Sequence, residues 1–190
     1  MRFNSLKTFA AVAVIAVAAI SGQASAQVDN QTINVTLATD SGIDVLKTAD
    51  IDFGSWFVVV RGGETPTLTL TPGGGVTAVA AGVTTSTLTE LTAGTGPGQI
   101  TVEVPAATVM TMTRSGTTPF TDTGIDLTAV TYDTATETGN IDADSDTGAV
   151  TILAGSTPEN VDLGAELTFT GTPDDANSPH TASFVLTLAY

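Results

Sequence analysis

The chain contains no cysteine among its 190 residues. It therefore has no thiol nucleophile, no thiolate ligand for a metal ion and no disulfide bond to staple a small core. A domain can do without such staples only if it buries an extensive apolar core, and a chain of this length is long enough to do so. Its stability must come from packing and hydrogen bonding.

Positive charge is also scarce, because five Lys and Arg residues face 20 Asp and Glu residues. After residue 26 only Lys47, Arg61 and Arg114 remain against all 20 carboxylates, so that part of the chain carries a net charge of −17. Such a surface repels phosphate backbones and anionic lipids, and we expect no nucleic-acid partner. Because the charges are scattered, they favour a role in solubility or in a salty medium over an acidic recognition patch.

The residues that usually carry catalysis are few and lack partners. His180 is the sole histidine, so two histidines of one chain cannot share a metal ion, and its position after Pro179 favours a loop residue. No G-x-S-x-G segment marks a nucleophile. A Ser-His-Asp triad nevertheless stays possible, because Ser and Asp residues are abundant. Trp56 is the single tryptophan, and we expect it in the core, with a sugar-stacking platform as the alternative. We expect no enzyme; a hydrolase is the weaker hypothesis.

The first 26 residues have the pattern of a secretory signal peptide. Two cations precede a 13-residue apolar segment over residues 8–20, and an A-x-A cleavage site ends at Ala26. This segment is shorter than the roughly 20 residues of a spanning helix, which disfavours an uncleaved membrane anchor. We expect a mature protein of residues 27–190 that is exported to the periplasm, the cell surface or the medium, without a stable transmembrane anchor.

Threonine is the dominant polar residue, with 36 copies after residue 26. Threonine and other polar residues alternate with Val, Ile, Leu and Phe in a period of two, as strands with one buried face require. Phe53 and Phe184 are predicted to face the core. The predicted strands contain residues 33–37, 68–70, 100–104 and 184–190, and further strands cover 50–53, 56–60, 76–80, 108–113, 126–132, 149–153 and 166–170.

Glycine and proline stand between these segments, where tight reversals need them. About ten short, mostly antiparallel strands over residues 27–190 predict a single all-β domain, a β-sandwich of the immunoglobulin-like or pilin-like kind. A closed barrel is the alternative. A disordered Thr-rich stalk fits less well, because the alternation is regular and proline is infrequent. Turns are predicted at residues 61–63, 72–75, 94–98, 115–116 and 172–175.

One acidic stretch has the spacing of metal ligands. Asp142, Asp144 and Asp146 alternate and are followed by Gly148, and such carboxylates suit Ca²⁺, which binds about six to eight oxygen atoms. The EF-hand pattern is not met, since the glycine comes one place late and Leu153 stands at the twelfth position. A solvated connection between strands is the favoured interpretation. A weak calcium site is the alternative, and calcium is the only cofactor that this sequence indicates.

Three short segments occur together in this chain. Residues 49–55 read ADIDFGS, residues 161–167 read VDLGAEL, and residues 181–190 predict a terminal strand that ends in tyrosine. With the short strand after the signal, they resemble a bacterial secreted family known as domain of unknown function 4402. The resemblance implies a β-sandwich surface protein similar to pilin subunits and implies no activity. The chain departs from the family at residues 178–180, where SPH replaces a Gly-x-Tyr segment.

Composition and resemblance together favour a structural subunit or adhesin-like protein of the bacterial cell surface. Ile33, Val35 and Leu37 share one face of a strand close to the mature N-terminus, and such a strand can complete the sheet of a neighbouring copy. These three residues are the candidate strand-exchange site, with copies of the chain or related surface subunits as partners. The competing interpretation is pairing within the same domain. The alternative function is a monomeric secreted binding module for calcium or glycans.

Overall fold

The computed structural model describes residues 26–28, 31–39, 43–79, 85–104, 108–135, 137–141, 147–152, 158–174 and 178–189. Within these ranges the chain forms fourteen β-strands in two seven-stranded sheets that share one core. The predicted all-β sandwich is confirmed, although the strands are more numerous than expected. No helix long and apolar enough to cross a membrane occurs in the described part of the chain.

The fourteen strands are joined by connections of one to eleven residues. β9 and β13, with 11 residues each, are the longest, and each lies between neighbours in its sheet. In chain order the strands are β1 (Ala26–Val28), β2 (Thr32–Thr39), β3 (Asp44–Ala49), β4 (Ile51–Val59), β5 (Thr67–Leu70), β6 (Val76–Val79), β7 (Thr87–Gly96), β8 (Gly98–Glu103), β9 (Thr108–Thr118), β10 (Ile125–Asp133), β11 (Thr138–Asn140), β12 (Thr147–Ile152), β13 (Glu159–Phe169) and β14 (Thr181–Ala189).

The first sheet is built around β4 and β14. β4 pairs along one edge with β1 and with the start of β2, and along its other edge with β7. β2 continues beside β14, β14 pairs with β9, and β9 pairs with β12. Among the described strand pairs, β2–β14 is the one parallel pair. The second strand and the last described strand therefore run side by side in the same direction.

The second sheet is built around β13. One edge of β13 pairs with β10, which carries the short β11 on its far side. The opposite edge pairs with β8 in its first half and with β5 in its second half. β3 extends the sheet beyond β8, and β6 extends it beyond β5. Because β3 belongs to this sheet and β4 to the first, the chain changes sheets between them.

A single hydrophobic core lies between the two sheets. Phe53 on β4 and Phe184 on β14 reach it from the first sheet, and Phe169 on β13 reaches it from the second. Each of these rings is at most 1% exposed. The predicted burial of Phe53 and Phe184 is confirmed, because strict alternation along a strand places every second side chain on the core face.

The alternation of buried residues reverses in the middle of β4. Ile51 and Phe53 are buried at odd positions, whereas Trp56 and Val58 are buried at even ones. The register with β7 shifts on both sides of Gly54, and these bulges cause the reversal. The prediction of two separate strands here is wrong, because a bulge changes the buried face without ending the strand.

Two of the predicted turns differ from the structure. Over residues 94–98 the predicted turn is shortened to a bend at Pro97, since β7 runs to Gly96 and β8 begins at Gly98. Instead of a turn at residues 115–116, β9 continues, and Gly116 has a φ of 61° beside a shift in the register with β14. A left-handed glycine suits a bulge as well as a turn. The predicted turns at residues 61–63 and 72–75 are confirmed.

Candidate functional site

β2 occupies a position between β14 and β4 that we call the β2 slot. All eight of its residues pair with β14, from Thr32 opposite Thr181 to Thr39 opposite Leu188. Its pairing with β4 covers only Thr32 and Ile33. An element from the beginning of the chain is therefore held mainly by the last strand.

Two of the three candidate strand-exchange residues face the core from the β2 slot. Ile33 is 0% exposed and Val35 is 2% exposed, and Val35 lies opposite Phe184 in the register. The backbone of Leu37 lies opposite Leu186, but its side chain is outside the described part of the structure. Burial of an aliphatic side chain contributes about 1.5–3 kcal/mol, so Ile33 and Val35 anchor β2 in its slot.

Backbone hydrogen bonds fix the start of β2 on both sides. Gln31 donates its N–H to the Gly54 carbonyl at 3.1 Å and accepts the N–H of Phe53 at 3.0 Å. On the opposite side, Thr32 donates its N–H to the His180 carbonyl at 3.3 Å. Gln31 and His180 are both buried. The entrance of the slot therefore fixes the register in which β2 lies.

Beyond Ile33, a carboxylate takes over the place of β4 beside β2. Asp50, at the point where the chain changes sheets, accepts the N–H of Val35 at Oδ1 over 2.9 Å. The Lys47 ammonium donates to both oxygens of the same carboxylate, at 2.9 and 3.2 Å. Asp50 thus supplies the acceptor that a neighbouring strand would otherwise offer to the backbone of β2.

The next aspartate of the ADIDFGS segment holds β4 against β7. Asp52 accepts the N–H of Gly54 at 2.9 Å through one oxygen, and the N–H and hydroxyl of Thr95, both at 3.0 Å, through the other. Gly54 has a φ of +80°, and a Cβ there would lie 2.2 Å from a backbone oxygen of β7. A Cβ at Gly94 on β7 would lie 2.1 Å from the Asp52 carbonyl. These residues fix the wall of the slot that β4 forms.

Trp56 and His180, which the sequence singles out, are both buried. Trp56 is 4% exposed, and its Nε1 donates to the Phe53 carbonyl at 2.9 Å. The predicted core role is confirmed, and the sugar-stacking alternative is wrong because the indole has no accessible face. His180 does lie outside the strands, directly before β14, yet it is fully buried. No local sequence pattern signals that burial.

Asp142, Asp144 and Asp146 lie outside the described residues, so the calcium hypothesis stays a prediction. Within the described ranges, no three His, Asp or Glu side chains are grouped so that they could hold a metal ion. Asp44 on β3 and Glu103 on β8 are cross-strand neighbours. Two carboxylates are fewer than the oxygen ligands that Ca²⁺ requires.

No protein-family model, no curated protein and no solved structure matches the chain. The resemblance to domain of unknown function 4402 stays a prediction from the short segments ADIDFGS, VDLGAEL and the terminal strand. Two of those segments have clear structural roles, since ADIDFGS forms the corner and wall of the β2 slot and the terminal strand is β14. Function is therefore inferred from the way β14 and β4 hold β2 in its slot.

Proposed function

We propose that the protein is an exported structural subunit or adhesin-like protein of the bacterial cell surface, and that its copies assemble by exchanging β2. In the assembly, β2 of one copy fills the β2 slot of the next. The observation that supports this proposal is the position of β2: it pairs with β14 along its whole length but with β4 at only two residues.

β2 is the long strand that can leave its sheet at the least cost to the rest of the fold. It precedes every other strand except β1, so its departure moves one connection, whereas a central strand such as β13 would move two. Gln27 and Val28 of β1, which follow the expected cleavage site, pair with Phe57 and Trp56 of β4 and would travel with β2. A terminal element of this kind is the one that identical chains exchange most easily.

Exchange preserves the contacts of β2, because an identical strand enters an identical slot. The backbone bonds to β14 supply affinity, and Ile33 and Val35 set the register by filling the core. The balance between closed monomer and assembly then depends on how far β2 can separate from β3 and on the entropy of association. A high local concentration at a cell surface favours the assembly.

A synthetic peptide with the sequence of residues 31–39, QTINVTLAT, is expected to compete for the β2 slot and to shorten the assemblies. The exported protein is assembled with and without excess peptide, and sizes are measured by light scattering and negative-stain microscopy. The matched control is the same peptide with Val35→Asp. It places a carboxylate where a 2% exposed valine packs, and desolvation of that charge should prevent binding.

Two results would contradict the proposal. One is a protein that stays monomeric at every concentration and leaves no filament on the cells that export it. The other is an equal effect of the two peptides, because the slot would then not be what they bind. A monomer that binds Ca²⁺ or a glycan would favour the alternative function, a secreted binding module.

A further inference from the structure

A groove lies over the second sheet, on the side of the partly exposed Thr69, Thr131 and Asp133, and none of the described residues that line it belongs to β2. It has a volume of about 610 Å³ and lies between the β5–β6 turn and the β10–β11 hairpin. Thr69 and Pro72 belong to one wall, and Asp133, Thr138 and Asn140 belong to the other. The volume falls within the range of about 300–1,000 Å³ that sites for small ligands occupy. We call it the β5–β10 groove.

Hydrogen bonds inside the two turns hold both walls in place. In the β5–β6 turn, Thr71 donates its N–H to the Gly75 carbonyl at 2.9 Å, and the N–H of Gly75 donates to the Thr71 hydroxyl at 3.1 Å. In the β10–β11 hairpin, Thr134 donates its N–H to the Glu137 carbonyl at 2.8 Å, and Glu137 returns an N–H to the Thr134 hydroxyl at 3.1 Å. A ligand would meet preformed walls, which lowers the entropic cost of binding.

Two glycines allow the lining groups to approach one another. At Gly164 on β13, between the walls, a Cβ would lie 2.6 Å from Thr131 Oγ1 and 2.7 Å from Pro72 Cδ. At Gly139 on β11, a Cβ would lie 2.5 Å from the hydroxyl oxygen of Tyr132. The phenol therefore rests against the backbone of the hairpin. A larger residue at Gly164 would push Thr131 and Pro72 apart, whereas one at Gly139 would displace the phenol of Tyr132, which belongs to the core.

The described residues of the lining are rich in hydroxyl groups and include one carboxylate, that of Asp133, one carboxamide, that of Asn140, and no cation. Burial first, and the nearby charge of Glu137 second, raise the pKa of the Tyr132 phenol above its usual value of 10.0. The phenol thus stays neutral at physiological pH. Pro72 and the threonine methyl groups add small apolar surfaces between these polar groups.

The charge around the groove discriminates between classes of ligand. Glu166, which accepts the Thr69 hydroxyl at 3.3 Å, adds a carboxylate beside the groove, and Glu137 adds another at the hairpin. An anionic ligand would be repelled by this potential. An uncharged ligand with many hydroxyl groups would find both acceptors and donors in the lining, at the spacing of a few ångströms that neighbouring strands impose.

We propose that the β5–β10 groove binds a segment of an uncharged oligosaccharide. Sugar hydroxyls donate to the Asp133 carboxylate and accept from the Asn140 amide and the threonine hydroxyls, while the C–H faces of the sugar rings lie against Pro72. The site is independent of strand exchange, because it belongs to the second sheet. An adhesin-like subunit would present it on the outside of an assembly.

The test is a binding screen of the exported protein on an array of uncharged, acidic and amino-sugar glycans, followed by titration calorimetry of the best ligand. We expect binding to an uncharged glycan whose affinity does not change with salt. Asp133→Ala and Asn140→Ala should each weaken it by about tenfold or more, the effect of losing a hydrogen bond to a charged or well-oriented group. Neither variant should change the melting temperature appreciably, since Asn140 is exposed and Asp133 is only partly buried.

Matched controls come from the same sheet. Asp126→Ala on β10 and Asn160→Ala on β13 remove the same side chains at exposed positions outside the groove, and they should bind like the wild type. Absence of binding to every uncharged glycan would overturn the proposal. A salt-sensitive preference for amino sugars that Asp133→Ala abolishes would also overturn it, in favour of a cationic ligand. So would equal losses in the control variants.

Discussion

Replacing Gly54 by alanine is expected to destabilise the fold by about 2–5 kcal/mol, the sum of left-handed backbone strain and overpacking. Gly54 has a φ of +80°, and its added Cβ would lie 2.2 Å from the Thr92 carbonyl oxygen and 2.3 Å from the Gly94 nitrogen. Both atoms belong to the backbone of β7, so neither can move without breaking the pairing with β4. Chemical denaturation followed by circular dichroism measures the loss.

Gly62→Ala is the matched control for this prediction. Gly62 also has a left-handed backbone, with a φ of +64°, but no atom lies within 4 Å of its added Cβ. The control should therefore lose only the conformational term, about 1–2 kcal/mol. Equal losses in the two variants would contradict the account of Gly54 as the close contact between β4 and β7.

Truncation of either core phenylalanine should cost about 3–5 kcal/mol, as is usual for a buried ring replaced by alanine. Phe53 is 0% and Phe184 is 1% exposed, and they stand on two strands that flank the β2 slot. Both variants are expected to unfold at a markedly lower denaturant concentration than the wild type. Because Phe184 is the register partner of Val35, its loss should also weaken the hold on β2.

Leu46→Ala provides the comparison at the surface. Leu46 lies on β3 and is 64% exposed, so its truncation should change stability by no more than about 0.5 kcal/mol. A loss of similar size in all three variants would mean that the core does not lie between the two sheets. A negligible loss at Phe53 or Phe184 would remove that residue from the core.

Several of the strands that were predictable from the sequence show an uninterrupted alternation of apolar and polar residues. β2, β5, β8 and β14 alternate without interruption, because each lies between other strands and over the core. β3 and β7 were not predicted. Each of these two strands pairs with one neighbour among the described strands, and most of their side chains are exposed. An edge strand of this kind shows little hydrophobic period.

Glycine misled the prediction where it serves a bulge. Gly54 and Gly116 both have left-handed backbones next to register shifts within strands. Locally, such a glycine is indistinguishable from one in a turn, because both need the same φ. Only the partner strand, which stands tens of residues away, decides between a bulge and a turn.

The candidate site was also only partly predictable from the sequence. The apolar face of β2 was predictable, since Ile33 and Val35 alternate with polar residues. The roles of Asp50 and Asp52 were not, because their partners Val35 and Thr95 are distant in sequence. The β5–β10 groove was likewise hidden, because its walls and its two glycines come from four separate strands and the turns between them.

The central claim, that β2 is exchanged between copies, is tested most directly by disulfide trapping. Asn34 on β2 and Ser183 on β14 are direct partners in the parallel register, and the chain has no cysteine of its own. Paired strands lie about 4.7–4.9 Å apart, within the Cα separation of about 4.4–6.8 Å that a disulfide accepts. Asn34→Cys and Ser183→Cys are therefore placed in separate chains and produced together in one exporting host.

Non-reducing electrophoresis of the exported material gives the answer. If β2 is exchanged, the two single variants form a covalent dimer with each other, and the double variant forms a ladder of linked subunits. Asn34→Cys produced with Asn160→Cys, an exposed position on the second sheet, controls for random collision and should stay uncoupled. A double variant that closes its disulfide entirely within one chain, with no dimer from the mixed single variants, would contradict strand exchange.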